Sequence, residues 1–270
     1  MRDAGIENSS GEARILLAGA SDRTVEKLMA SLSLYASDEI ESRMGTFVER
    51  RLKGEPLAYI TGTWEFFGIP LFIDRNVLIP RIDTETLIVA AKELLTGVKQ
   101  DARILDLCCG SGCISCAMAN EFPASRITAV DISEPALTIC RKNAAHLGFN
   151  SRIICLKADA RSVPPMGLGS YDLVICNPPY IVTDEIQSLD GSVRDFEPVL
   201  ALDGGESGLD FYKDIIKYWS VVLKENSAII FEVGEGQADP VKGFLDHAGF
   251  RNIYTRRDST DTERCVVGIK

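Results

Sequence analysis

The chain has 270 residues, 46% hydrophobic and 25% charged, with a formal net charge of −10, a composition that suits one large globular α/β domain, or a domain plus a small one. The acidic balance and the lack of any Lys/Arg-rich run weigh against a duplex nucleic acid as partner. No apolar run approaches the length of a membrane span, and the opening MRDAGIENSSGEAR has no signal-peptide core, so a cytoplasmic protein is expected.

Eight cysteines in that compartment are expected as thiols rather than disulfides. The two histidines, His146 and His247, read as partly exposed helix-end residues, which leaves no metal site or histidine-based catalysis to expect from them.

Residues 12 to about 53 carry apolar positions at spacings of three and four, in ILLAGA, VEKLMASLSL and MGTFVERRL. Ser37-Asp38 is a suitable N-cap before EIESRM. This predicts a small helical domain over 1–56. Residues 57–80, LAYITGTWEFFGIPLFIDRNVLIP, are aromatic and β-branched with Gly and Pro breakers, and predict a linking hairpin.

From 81 to 270 the pattern alternates. Short apolar strands (ARILDL, RITAVDI, RIICLKAD, YDLVICN, SAIIFEV) are separated by helical stretches (CISCAMANEF, EPALTICRKNAAHLG, GLDFYKDIIKYWSVVL, ADPVKGFLDHAG), and two more strands close the chain. Such alternation predicts an open, mostly parallel sheet covered on both faces, with its ligand at the carboxyl ends of the strands.

In RILDLCCGSGCIS a strand ends near Asp106, a turn holds Gly110-Ser111-Gly112, and a helix follows. Glycines let a backbone approach a ligand, and a helix start offers free N–H groups. The next strand ends in Asp131, placed to accept bonds from ribose hydroxyls. A dinucleotide fingerprint wants a third glycine, where Ser115 stands. An acid at 106 suits an ammonium better than a diphosphate, and this points to S-adenosylmethionine, with S-adenosylhomocysteine as its product. Asp159, after the third strand, is placed to meet the adenine amino group or simply to cap a loop. Cys109, Cys113 and Cys116 also carry C-x3-C-x2-C spacing, so an iron–sulfur site is a rival reading.

Asn177-Pro178-Pro179-Tyr180 ends another strand. Successive prolines fix φ and supply no N–H, so the turn's carbonyls are expected to stay free. Together with the Asn177 side chain they can hold a planar NH2 group, and Tyr180 can lay its ring on the substrate and face a sulfonium. That is machinery for methylating a conjugated nitrogen. A glutamine amide and an adenine N6 on DNA or RNA both qualify.

These motifs, with GEPLAYITGTWEFFGIPLFIDRNVLIPR, AVDIS..AL.....N, EPVLALDGGESGLDFY and FEVGEGQ, resemble the HemK/PrmC family of protein-(glutamine-N5) methyltransferases. The resemblance implies a class I, Rossmann-like S-adenosylmethionine-dependent methyltransferase sheet with a small helical N-terminal domain joined by a β-hairpin. It implies peptide chain release factors as protein substrate, through the glutamine of their Gly-Gly-Gln loop, with no membrane or direct nucleic-acid substrate. By position it implies cofactor contacts from Cys108, Cys109, Gly110, Ser111, Gly112, Asp131, Asp159, Ala160 and Asn177, while Asn177, Pro178, Pro179 and Tyr180 hold the glutamine amide. The chain departs from the family pattern at Cys108 and Cys109, where Gly-Thr is usual, in PRIDTE for PRPETE, and at Ala160, where a bulkier residue is common. A cysteine at 108 is expected to take an ordinary φ, and both thiols are read as small fillers.

Overall fold

A computed structural model describes residues 1, 4–30, 36–97 and 99–270. Three helices open the chain: α1 (Ser9–Ala20), α2 (Val25–Met29) and α3 (Asp38–Leu52). The tail of the VEKLMASLSL stretch, residues 31–34, lies outside the described residues. Ser37 caps α3 as its sequence predicts, its Oγ accepting from Ile40 N at 3.4 Å. Arg51 ties α3 to α1 through Glu12 at 2.6 Å.

The stretch expected as hairpin begins instead with a helical turn, α4 (Leu57–Thr61). Pro56 sets φ at −60° before it, and Gly62 ends it in the left-handed region. The hairpin itself is β1 (Thr63–Phe66) paired antiparallel with β2 (Ile69–Phe72).

The remaining elements are α5 (Glu85–Leu95), β3 (Arg103–Leu107), α6 (Cys113–Glu121), β4 (Arg126–Asp131), α7 (Glu134–His146), β5 (Ile153–Lys157), β6 (Tyr171–Cys176), the short α8 (Gly191–Arg194), α9 (Asp210–Trp219), β7 (Leu223–Glu232), α10 (Ala238–His247), β8 (Arg251–Arg257) and β9 (Glu263–Ile269). Seven strands form one sheet in the order β5-β4-β3-β6-β7-β9-β8. It is parallel except for β9, which runs antiparallel to both neighbours.

Alternation along each strand feeds two cores. Ile104, Leu173 and Ile230 join the core that also holds side chains of α5, α6 and the hairpin. Leu105, Val174 and Ile229 join the core beneath α9 and α10. On α9 the buried side chains Tyr212, Ile215, Ile216 and Trp219 fall at i, i+3, i+4 and i+7, one stripe of a helix. Both histidines are exposed, at the last residues of α7 and α10. No helix among the described residues is long and apolar enough to cross a membrane.

Strand order reverses between β3 and β6, since the chain runs outward from β3 through β4 to β5 and then returns to the other side of β3. Loops leaving these two strands part there and open a crevice at their carboxyl ends.

Candidate active site

A cavity of about 530 Å³ fills that crevice. Its wall includes the loop after β3 (Cys108 to Ser111), Asp131 and Ile132 after β4, Asp159 and Ala160 after β5, Asn177 and Pro179 after β6, and Phe211 on α9. Four loops far apart in sequence thus meet in one space.

The β3–α6 turn is tight. Gly110 and Gly112 have φ of 51° and 76°. A Cβ on Gly112 would stand 2.5 Å from the Cys140 Sγ, so the helix start can approach α7 only with glycine here. Cys108 corrects the expectation of an ordinary φ: it sits at 58°, in the left-handed region. The turn dictates that angle, and the chain accepts the strain of a side chain there, roughly 1–2 kcal/mol. Cys109 is buried, with Cys140 as a neighbour. That contact lowers the Cys109 thiol, but burial and nearby carboxylates outweigh it and hold it at about 12. Among the described residues, no group of three or more His, Cys, Asp or Glu is placed to hold a metal ion.

Asp106 does not stand where an ammonium ligand would need it. It is fully buried, off the cavity wall, behind the turn. Its Oδ2 accepts from Ser115 N at 3.0 Å and from Ser115 Oγ at 2.5 Å. Gly112 is the N-cap of α6 and brings no side chain, so Asp106 supplies the acceptor that the helix start needs. Burial pushes its carboxyl up to about 7, against the pull of the Ser115 bonds.

Asp131, at the end of β4, lines the cavity. Its Oδ2 accepts from Gly110 N at 2.9 Å and its Oδ1 from Ser133 N at 2.9 Å, which locks the carboxylate to the glycine turn. Burial raises its pKa, and the N–H groups of Ser133 and Gly110 oppose the shift. Asp159 lines the cavity and also caps its own turn, accepting from Arg161 N at 2.8 Å and Ser162 Oγ at 3.1 Å. Ile132, Ile114, Ala160 and Phe211 give the wall apolar surface. An apolar slot edged by carboxylates suits an adenosine with an aliphatic tail.

Asn177 lies on the wall with its Nδ2 donating to Thr84 Oγ1 at 3.2 Å. Among the described residues, the carbonyls of Asn177, Pro178 and Pro179 accept no hydrogen bond within the protein. Pro179 lines the cavity; Pro178 is buried beside it. Tyr180 differs from expectation. It is off the wall, packed with the core under α9, and its Oη donates to Glu232 Oε1 at 3.3 Å. The chain turns back at this point, bridging Ile181 to Asp203 and bonding Tyr180 O to Gln237 Nε2, and this draws the ring inward.

Two residues with no role assigned from sequence hold the site together. Asn143, buried on α7, donates from Nδ2 to Phe72 O at 3.0 Å and to Ser111 O at 2.9 Å, while its Oδ1 accepts from Phe72 N at 2.7 Å. Hairpin and glycine turn therefore share one amide. Glu197 is almost wholly buried and takes Arg81 at 2.5 Å and Ile79 N at 3.2 Å, fixing the segment after the hairpin. Both sit inside quoted motifs, AVDIS..AL.....N and EPVLALDGG, which was the available signal.

The sheet order, the glycine turn after the first central strand and the acid ending the next define a class I, S-adenosylmethionine-dependent methyltransferase. Residues 104–204 match the family model described as a methyltransferase domain, and residues 1–62 the one described as the PrmC N-terminal domain. The chain is 34% identical over 268 residues to the release factor glutamine methyltransferase of Geobacter sulfurreducens, covering 99% of this chain and 92% of that one. It is 35% identical over 272 residues to that of Caulobacter vibrioides, with 100% and 92% covered. The chain belongs to the release factor glutamine methyltransferase family.

Among solved structures, the hMettl16 catalytic domain in complex with a 3'UTR hairpin aligns with TM-score 0.60 at 18% identity, over 86% of this chain and 82% of that one. A methyltransferase from Pyrococcus furiosus aligns with TM-score 0.55 at 16% identity, over 84% and 98%. These share the fold.

Proposed function

We propose that the protein methylates the N5 amide nitrogen of the glutamine in the Gly-Gly-Gln loop of peptide chain release factors, in the cytoplasm. Membership of the family supports this. The observation that carries it is that Asn177 and Pro179, in a turn whose carbonyls accept no hydrogen bond among the described residues, line the same cavity as the glycine turn and Asp131.

When bound, S-adenosylmethionine supplies an electrophilic methyl on a sulfonium. Gly110, Ser111 and Asp131 would hold it by backbone and hydroxyl contacts, with Ala160 and Ile132 against its base. The protein's own task is positioning. An amide nitrogen is a poor nucleophile because its lone pair is delocalised. Asn177 Oδ1 and the Pro178 carbonyl would each accept one hydrogen of the NH2 group, turning the nitrogen toward the methyl and favouring the positive charge that develops on it. No side chain need remove a proton first, since the alkylated amide is far more acidic than its precursor and can lose its proton to water. The helices of residues 1–56 would dock the body of the release factor.

Labelled S-adenosylmethionine offered to a release factor, to its Gln-substituted variant and to a DNA duplex tests the substrate. Label is expected on the first alone, and label on the duplex alone would overturn the reading. Asn177→Ala is expected to lower turnover by at least about a hundredfold, as loss of a positioned acceptor does, while S-adenosylhomocysteine still binds. Near wild-type turnover would remove Asn177 from the chemistry.

A further inference from the structure

The Asn177 carboxamide can face the cavity in two ways, and only one serves the reaction proposed above. With Oδ1 outward it accepts a substrate N–H; with Nδ2 outward it opposes it. The structure turns Nδ2 inward, to Thr84 Oγ1. A hydroxyl that accepts there must send its own proton elsewhere. Thr84 is 1% exposed and is among the groups that favour the charged form of the Glu232 carboxyl at the end of β7, whose buried Oε2 has no hydrogen-bond partner. Oε1 takes the Tyr180 hydroxyl.

We propose that Glu232 is a positioning residue for methyl transfer, which fixes the orientation of the Asn177 carboxamide by receiving the Thr84 hydroxyl proton. The inference rests on the substrate reading above. An ionised Glu232 can only accept. Thr84 and Tyr180 then both point their protons at it, and Thr84 keeps a lone pair for Asn177 Nδ2. A neutral Glu232 can donate to Thr84, whose proton is then free to reach Asn177 Oδ1, and the carboxamide turns over.

The groups facing Glu232 come from every element around it. They are Thr84 and Asp83 on the turn before α5, Tyr180 after β6, Arg264 and Cys265 on β9, and Tyr212 of α9, which donates to the Glu232 carbonyl at 2.9 Å. Full burial holds the carboxyl at about 7, with Thr84, Tyr180 and Arg264 lowering it and Asp83 raising it. The switch between the two arrangements therefore falls at neutral pH.

Thr84→Val removes the hydroxyl with little change of shape. It is expected to lower kcat on a release factor by about tenfold to a hundredfold, the scale of a misaimed reacting group. KM for the release factor and Kd for S-adenosylhomocysteine should stay within about twofold, and Thr84→Ser should restore kcat. Wild-type kcat is expected to rise with pH through neutrality, and Glu232→Gln to flatten that rise. Wild-type kcat in Thr84→Val, or a loss matched by equal weakening of KM and Kd that serine does not rescue, would overturn the proposal. So would an unchanged pH profile in Glu232→Gln. If the wild-type protein leaves the release factor unlabelled, the substrate reading fails and takes this proposal with it; labelling by wild type alongside an unaffected Thr84→Val sinks the positioning role alone.

Discussion

Cys108 shows how a single residue answers to the turn it occupies. A left-handed φ at a non-glycine residue is tolerated when the surrounding structure over-determines it, here the β3 ladder on one side and Gly110 with Gly112 on the other. A branched Cβ is the least compatible with that angle. Cys108→Val is therefore expected to lower stability by about 2 kcal/mol, read as a shift in the denaturation midpoint, and to weaken S-adenosylhomocysteine binding. Cys108→Gly should leave binding within about threefold, because it removes the strain at the cost of a more flexible unfolded chain. Equal loss in both variants would show that the thiol matters and the backbone angle does not.

At the scale of elements, the site depends on how the hairpin meets the catalytic sheet. Asn143 holds three main-chain groups on two elements, and its own side chain is wholly buried. Asn143→Leu keeps the volume and strands those groups, at about 1–3 kcal/mol for each one left buried and unpaired. The expected result is a destabilisation of roughly 3 kcal/mol or more, with weaker cofactor binding, since Ser111 loses its anchor. A variant with wild-type cofactor affinity would show that the glycine turn holds its shape without the hairpin. The hairpin is further secured by Glu85, which accepts from Phe67 N at 2.9 Å. The N-terminal helices reach the same region through Glu55, a nearly buried carboxylate that takes Arg50 at 2.8 Å and Arg75 at 2.7 Å. The Arg50 bond, then that of Arg75, holds it at about 2 against its burial.

Across the whole molecule, two fully buried carboxyls, Asp106 and Glu232, are both raised to about 7 from ordinary values of 3.8 and 4.5. Between pH 4.5 and 7 the folded protein keeps protons that the unfolded chain has released. Its stability from these groups is full at the acid end of that window and falls as pH rises through 7. Thermal midpoints are expected to be lower at pH 8 than at pH 5.5, and Asp106→Asn should shrink the difference. A midpoint that rises with pH across this range in the wild-type protein would contradict it.

The site was legible in sequence where chemistry is local. Gly110, Gly112, Asp131 and the Asn-Pro-Pro turn each belong to one strand end, and a strand end carries its own punctuation. Thr84 stands 93 residues from Asn177, Asn143 lies 71 from Phe72, and Glu232 lies 52 from Tyr180. No spacing rule joins such pairs. The helical turn at 57–61 was missed because LAYIT has strand-like composition, while the Pro and Gly that bracket it decide its backbone.

The sequence by itself determined the alternation of strands and helices and the placing of the glycine turn and the Pro-Pro turn at strand ends, because periodicity, glycine and proline act on the backbone within a few residues. Only the tertiary structure decided that Asp106 bonds the start of α6, that Tyr180 turns inward, that Cys108 takes a glycine's angle, and that Asn177 Nδ2 meets Thr84. Those outcomes depend on which buried donors and acceptors find each other once the sheet is assembled, and burial makes such pairings obligatory without writing them into any local pattern.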